Sequence, residues 1–209
     1  MATVSEIRNH RRGSPRVDVF LDGDYWRAFP RSVLAELPVR VGEEVEPLAI
    51  VSDAVALEEA YSRTRVLRLL AYRERCSEEL VQRLLDDGVV AEVARATVSD
   101  YVASGLIDDV RFAEALARTL LLRGQAPERI ARDLNRRGIA PDIAASALEE
   151  ALGEDGEQEH LERVARRLSR PGDTVDRLAA RLARRGFSAG SALRVARRFV
   201  EEAEALDER

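Results

Sequence analysis

One pattern of apolar positions occurs three times along the chain, each time around a single glycine. The three glycines are spaced 50 and then 48 residues apart: Gly88, Gly138 and Gly186. Apolar residues stand eight and four positions before each glycine, and one and six positions after it. In the order of the three copies these are Leu80, Ile130 and Leu178; Leu84, Leu134 and Leu182; Val89, Ile139 and Phe187; and Ala94, Ala144 and Ala192. A period near 50 residues indicates a structural unit repeated in tandem.

Each copy of the pattern predicts two helices joined by a tight turn. The positions eight and four before the glycine share one helix face. The glycine ends that helix because it takes a positive φ without strain. A further helical stretch precedes each pair, at Val66–Tyr72, Val110–Leu122 and Leu161–Leu168. Each repeat is therefore predicted to contain three helices.

The N-terminal quarter of the chain has a different pattern. Valine and aromatic residues flank Asp22-Gly23, which is a strong hairpin signal. Residues 39–51 are predicted to form a third strand region. Trp26 and Phe29 are expected in the core of this small sheet, and contact with a partner is the alternative for them.

These patterns predict a mainly α fold of three tandem three-helix repeats in an elongated curved array, with a small N-terminal β-hairpin or sheet segment. Residues 1–15 are expected to be a flexible tail, and residues 16–53 the β-containing segment. The repeats are expected at residues 54–107, 108–153 and 154–209, the last with an acidic linker and a charged tail.

Charge is distributed unevenly along the chain. The net charge is −5, and all 33 basic residues are arginine. Between Arg163 and Arg198 stand eleven arginines against Asp173 and Asp176, a local balance of 11 − 2 = +9. Acidic stretches border this segment on both sides. Arginine suits phosphates and carboxylates because its planar fork makes paired hydrogen bonds.

The arginine stripes predict a partner-binding or nucleic-acid-binding site in the second and third repeats. Its candidate residues are Arg129, Arg132, Arg136, Arg137, Arg177, Arg181, Arg184, Arg185, Arg194, Arg197 and Arg198. The alternative is a solvated face whose charge is balanced by the acidic flanks.

No arrangement of residues predicts catalysis, a metal site or a cofactor. Gly186-Phe-Ser-Ala-Gly190 matches the nucleophile-elbow pattern, but a helix rather than a strand precedes it, so Ser188 is expected to cap a helix. Without lysine there is no phosphate-binding loop of the G-x-x-x-x-G-K type. His10 is assigned to the tail and His160 to an acidic linker, and with Cys76 they make no zinc site.

Three stretches resemble the RecX family of bacterial regulatory proteins. They are Val66–Leu80, Gly105–Ala113 with its paired aspartates followed by arginine, phenylalanine and alanine, and Ile130–Ile139. The resemblance covers about Tyr61 to Val200 and is weakest in the third repeat. The Asp22-Gly23 hairpin is similar to an extension that some members carry.

A single cysteine and the lack of an apolar run of about 18 residues predict a cytoplasmic protein, and a monomer without enzymatic activity is expected. The resemblance implies a regulator that acts in DNA repair, recombination and the SOS response. Its implied partner is the RecA recombinase, bound in the groove of the RecA–single-stranded-DNA filament, with inhibition of RecA ATPase and strand exchange and weak direct DNA contact.

The alternative function is a DNA-binding helical module that acts without sequence specificity through the arginine-rich third repeat. Glycine-turned helix pairs also occur in sequence-specific helix-turn-helix proteins. Here the third helices are rich in alanine, so phosphate contact is expected and base readout is not.

Overall fold

The computed structural model describes the backbone of residues 1–207 and the side chains of residues 1–154 and 156–203. It divides into two compact units, residues 1–108 and residues 109–209. The mainly helical fold with a small N-terminal sheet is confirmed.

The first unit combines the sheet with the first repeat. Its strands are β1 (Ala2–Asn9), β2 (Arg16–Leu21), β3 (Asp24–Pro30) and β4 (Glu44–Val45), and its helices are α1 (Arg31–Glu36), α2 (Pro47–Tyr72), α3 (Ser77–Asp86) and α4 (Ala91–Ala103). The strands form an antiparallel sheet in the order β3-β2-β1-β4. The predicted hairpin at Asp22-Gly23 is confirmed, and Phe29 is buried in the core with Trp26 packed against it.

The predicted flexible tail is wrong, because its first nine residues include strand β1. This strand pairs with β2 on one side and β4 on the other, and Val4 is fully buried. A bulge between Val4 and Glu6 shifts the register. The next inward apolar residue is therefore Ile7, and the strict alternation that marks a strand in a sequence is broken.

The predicted third strand and the boundary after residue 53 are also wrong. Only Glu44–Val45 is strand, and Pro47 begins a continuous helix that ends at Tyr72. Proline is favoured at the first position of a helix. The short apolar run Leu48–Val51 does not by itself distinguish a buried strand from a helix.

Helix α2 contributes residues to two hydrophobic cores. Ile50 and Ala54, near its start, pack with the sheet residues. Val66, near its end, packs with Leu80 and Leu84 of α3 and with apolar residues of α4.

The second unit contains the second and third repeats. Its helices are α5 (Asp109–Leu122), α6 (Pro127–Asn135), α7 (Pro141–Leu152), α8 (Gly156–Leu168), α9 (Val175–Arg184) and α10 (Ala189–Asp207), with a single 3-10 turn at Gly153–Asp155.

The glycine turn has the same geometry in all three repeats. The φ angles of Gly88, Gly138 and Gly186 are 97°, 85° and 101°. In each repeat the amide after the glycine donates to the carbonyl of the leucine four positions before the glycine, with N–O distances of 3.0, 3.2 and 3.4 Å. This 6→1 bond is typical of a helix end with a left-handed residue. The leucine, isoleucine and alanine positions of the repeat pattern are buried in every copy.

An ion pair inside the first unit joins the sheet to the first repeat. The Glu58 carboxylate on α2 is 1% exposed and pairs with Arg27 of β3, whose side chain is 13% exposed. Its other oxygen accepts a bond of 3.2 Å from the amide of Val90 at the start of α4. The Arg27 guanidinium also lies 4.0 Å from the ring centre of Phe29. Burial raises the pKa of Glu58, and Arg27 opposes this shift.

Gly88→Ala is expected to lower the free energy of unfolding by about 2–4 kcal/mol. Alanine would be strained at the positive φ of this position, and its Cβ would also lie 2.9 Å from the carbonyl carbon of Phe29. The matched control is Gly105→Ala, which has φ of 74° but no atom within 4 Å of the added Cβ. It should cost about 1 kcal/mol. Urea denaturation measures both, and equal losses would show that the turn does not press on strand β3.

Arg27→Met is expected to destabilise the protein by about 3 kcal/mol at pH 7, because it leaves Glu58 buried without its cation. The folded state already binds the Glu58 proton more tightly than the unfolded state does. The contribution of this carboxyl to stability is therefore fully present below its unfolded pKa and declines as pH rises through the folded pKa. The loss in Arg27→Met should accordingly be smaller near pH 4.5.

Denaturant titrations of parent and variant at both pH values test this expectation. The control is Arg63→Met, which breaks the exposed pair of Arg63 with Glu59 and should cost less than about 0.5 kcal/mol. A loss in Arg27→Met that does not change with pH would contradict the role given to Glu58.

Candidate functional site

The helices of the third repeat carry arginine on their outer faces because their inner faces are occupied by a closed apolar core. Leu161, Val164, Leu178, Leu182 and Val195 are buried together in that core. The remaining positions of these amphipathic helices face solvent. All of the arginines of α8 are exposed, as are Arg177, Arg184, Arg194, Arg197 and Arg198.

Arg181 is held inside the unit. Its guanidinium pairs with Asp173, with the two side chains 17% and 8% exposed. The same Asp173 oxygen accepts a bond of 2.7 Å from the amide of Arg170. Although burial opposes it, the bonds from Arg181 and from the Arg170 amide lower the pKa of Asp173. This pair ties the turn before α9 to that helix, which gives Arg181 a structural role.

Arg129 and Arg185 join the second repeat to the third. Arg185 Nη1 donates to the carbonyl of Arg123 at 2.5 Å, and the Arg185 carbonyl accepts from the amide of Ala126 at 3.0 Å. Arg129 Nη1 donates to the carbonyl of Arg184 at 3.0 Å. These bonds satisfy carbonyls at the ends of α5 and α9, where a helix leaves acceptors without partners.

Packing at this joint is close around the glycine turn of the third repeat. A Cβ added to Gly186 would lie 2.8 Å from the Cβ of Arg129. The stem of Arg129 thus covers the turn while its guanidinium caps α9.

The other predicted arginines differ in what they contact. Arg132 Nε donates to the carbonyl of Glu128 at 3.3 Å, Arg136 pairs with Asp133, Arg194 donates to Ser191 at 3.3 Å, and Arg198 pairs with Glu162 at 2.8 Å. Arg137 is exposed. The side chains of Arg177, Arg184 and Arg197 make no hydrogen bond or ion pair to another described side chain or carbonyl, and we call these three the free arginines.

A groove between α5, α7 and α8 was not predicted. It has a volume of about 610 Å³, and its basic residues are Arg118, Arg163 and Arg167. Its apolar lining includes Leu122, whose side chain is 78% exposed. The sequence does hold one signal for it: Leu120, Leu121 and Leu122 are consecutive, and an amphipathic helix cannot turn three consecutive side chains towards one core.

His160 lies in helix α8 and not in a linker, so its predicted placement is wrong. The acidic residues around it form the first turns of that helix, where carboxylates are favoured. The ring is 4% exposed, its Nε2 lies 2.9 Å from the carbonyl oxygen of Gln125, and its centre is 5.8 Å from that of Phe187. Burial lowers the pKa of His160. A neutral ring therefore fits this position at the joint.

Ser188 caps helix α10, as predicted. Its hydroxyl accepts a bond of 3.2 Å from the amide of Ser191. Cys76 is buried. Among the side chains that the structure describes, residues 1–154 and 156–203, no three His, Cys, Asp or Glu are grouped so that they could hold a metal ion.

None of the described helices is both long enough and apolar enough to cross a membrane.

Comparison with known protein families finds matches to the first and second three-helix repeats. Residues 63–100 match the model of the first RecX three-helix domain, and residues 108–148 match the model of the second.

Individual relatives match over longer stretches. The chain is 35% identical over 139 residues to the regulatory protein RecX of Xanthomonas campestris pv. campestris strain B100, a match that covers 65% of this chain and 85% of that protein. It is 42% identical over 104 residues to the regulatory protein RecX of Halorhodospira halophila, covering 48% of this chain and 62% of that relative.

A crystal structure of regulatory protein RecX aligns with 91% of this chain and 97% of its own, with a TM-score of 0.56 and 24% identity. The structural likeness supports the fold, and the sequence matches establish the relationship. The chain belongs to the RecX family of regulatory proteins.

Proposed function

We propose that this protein is a cytoplasmic regulator that binds the RecA recombinase, chiefly as the filament on single-stranded DNA, and restrains RecA ATP hydrolysis and strand exchange. Its relatives carry the name regulatory protein. The observation that carries the proposal is the outward-facing positive charge of α9 and α10.

The free arginines are suited to a partner because they are not used to hold the unit together. Arg129, Arg181 and Arg185 each bond to a carbonyl or carboxylate inside the unit. Arg177, Arg184 and Arg197 are exposed. Of the predicted set, these three can therefore approach an acidic surface without breaking a bond to any side chain or carbonyl that the structure describes.

The groove between α5, α7 and α8 offers a partner apolar surface in addition to the positive charge of the free arginines. Leu122 is exposed beside Arg118, Arg163 and Arg167. Arg167 is also fixed in place, because its Nη1 donates to the carbonyl of Leu122 at 2.9 Å. An apolar side chain surrounded by acidic residues would match this lining, and such anchors supply much of the energy of protein interfaces. A protein partner therefore fits the second unit better than a phosphate backbone alone.

The proposal assigns no catalytic step to this chain. Restraint of a filament requires only that binding favours one state of the partner over another.

The test measures ATP hydrolysis by the cognate RecA on saturating single-stranded DNA. The parent protein should slow hydrolysis, and Arg184→Glu/Arg197→Glu should require at least about fivefold more protein for the same inhibition, because like charge replaces complementary charge. The matched control is Arg83→Glu/Arg95→Glu, which reverses two exposed arginines of the first unit. It should inhibit within about twofold of the parent.

Circular dichroism should show the same helicity for the parent and both variants. No effect of the parent on its cognate RecA would contradict the proposed function. Inhibition by Arg184→Glu/Arg197→Glu equal to that of the control would contradict the proposed surface.

The DNA-binding alternative is tested with naked single-stranded DNA. If the third repeat acted by holding DNA, Arg184→Glu/Arg197→Glu would lose DNA affinity by the same factor as it loses inhibition. We expect its affinity for naked DNA to stay within about twofold of the control.

A further inference from the structure

A second basic site lies in the first unit, where the pattern of arginines along the sequence predicts none. It is a cleft of about 910 Å³ with three walls: the turn Gly13–Pro15, helix α1 and helix α2. Its basic residues are Arg31, Arg65 and Arg68, and Glu36 is the one carboxylate that lines it.

The walls of this cleft are fixed by hydrogen bonds. The amide of Arg31 donates to the carbonyl of Pro15 at 2.7 Å, which joins the turn to α1. Arg31 Nη2 donates to Asn9 Oδ1 at 2.6 Å, and Arg65 Nε donates to Asp87 Oδ2 at 2.6 Å. The guanidinium groups of Arg31 and Arg65 are thus held in place before any ligand arrives. Arg65 is paired with a carboxylate, whereas the partner of Arg31 is a neutral amide, so Arg31 is the fixed donor whose charge is available to a ligand, and fixing it lowers the entropic cost of binding.

Asp87 ties the cleft to the glycine turn of the first repeat. It is buried directly before Gly88 and accepts bonds from Arg65 and from the hydroxyl of Tyr61 at 2.8 Å. Burial, reinforced by this carboxylate, raises the pKa of Tyr61. Tyr61 therefore remains a neutral donor to Asp87, and this bond orients its ring, which lines the cleft.

The lining of the cleft combines apolar and polar residues. Val33, Leu57, Ala60 and Tyr61 supply apolar surface. Ser14, Ser32 and Thr64 add hydroxyl groups to the arginines. Arg11 and Arg12 are exposed and precede Gly13 on the turn that makes one wall.

We propose that this cleft binds a single strand of nucleic acid, with its phosphates on Arg12, Arg31 and Arg68 and a base against the ring of Tyr61. Sites for single strands combine a positive groove with an aromatic face on which a base stacks. Along α2 the lining extends from Leu57 to Arg68, a distance of about 16 Å at the rise of an α-helix. That length suits successive nucleotides better than one phosphate group.

The test measures binding of a fluorescein-labelled dT oligomer of about twelve nucleotides to the full chain by anisotropy, at several salt concentrations and without RecA. The variant is Arg12→Gln/Arg68→Gln, because both side chains are exposed and neither makes an internal hydrogen bond or ion pair among the described residues. The matched control is Arg83→Gln/Arg95→Gln, which removes the same charge from helices α3 and α4 of the same unit.

Arg12→Gln/Arg68→Gln should bind at least tenfold more weakly at low salt. The slope of log affinity against log salt should become shallower by about 1.4, since each phosphate contact on a single strand contributes about 0.7. The control should stay within about twofold of the parent with an unchanged slope. Equal behaviour of the variant and its control overturns the proposal.

Photocrosslinking with a 4-thiothymidine oligomer locates the strand independently of any substitution. Adducts should map to residues 9–16, 31–36 and 57–68, and adducts confined to α8–α10 overturn the proposal. Poly-glutamate of matched charge should displace the oligomer no better than salt at the same ionic strength. Efficient displacement would instead show that the cleft takes an acidic protein. Because RecA is absent, failure here leaves the proposed regulation of RecA untouched, and the reverse also holds.

Discussion

A glycine with a left-handed backbone conformation ends the second helix of every repeat. In each unit a neighbouring element packs against one of these glycines, and that packing requires that the glycine has no side chain. In the first unit the carbonyl carbon of Phe29 lies only 2.9 Å from where a Cβ on Gly88 would be, and in the second unit the stem of Arg129 lies over Gly186. The turn therefore reverses the chain and also gives an earlier element, β3 in the first unit and α6 in the second, a surface without a side chain to pack against. A side chain at either position would strain the backbone and push that element away.

The two units reinforce this contact with different chemistry. In the first unit a buried ion pair joins Arg27 of the sheet to Glu58 of α2, and Glu58 in turn holds the start of α4. In the second unit guanidinium groups donate to main-chain carbonyls at helix ends, without a carboxylate partner. The planar fork of arginine can bond a carbonyl while its aliphatic stem packs on apolar surface. A chain whose cations are all arginine can thus use the same residue type for joints and for exposed charge.

The periodic part of this fold could be predicted from sequence because a repeated burial pattern is visible without knowing what covers it. Positions such as Leu84, Leu134 and Leu182 recur in register and are all buried. Strand β1 was missed because its bulge breaks the alternation, and the start of α2 was missed because a short apolar run fits either element. The function of each arginine could not be predicted, since Arg181 and Arg184 differ only in what the folded chain places beside them. The cleft of the first unit was missed for the same reason, because residues 13–15, 31–36 and 57–68 meet only after folding.

The contact of the second unit with a protein partner and the contact of the first-unit cleft with a single strand are each weak. Because both belong to one chain, they can act together on one partner. Exposed arginines gain little free energy each, and salt screens that gain. When two sites belong to one chain, however, the second contact forms at a high effective concentration once the first has formed. A partner that repeats along its length, as a filament on a single strand does, presents many equivalent positions for such a pair. A protein with net charge −5 can in this way remain repelled by most polyanions and still hold one that offers acidic protein surface and exposed strand together.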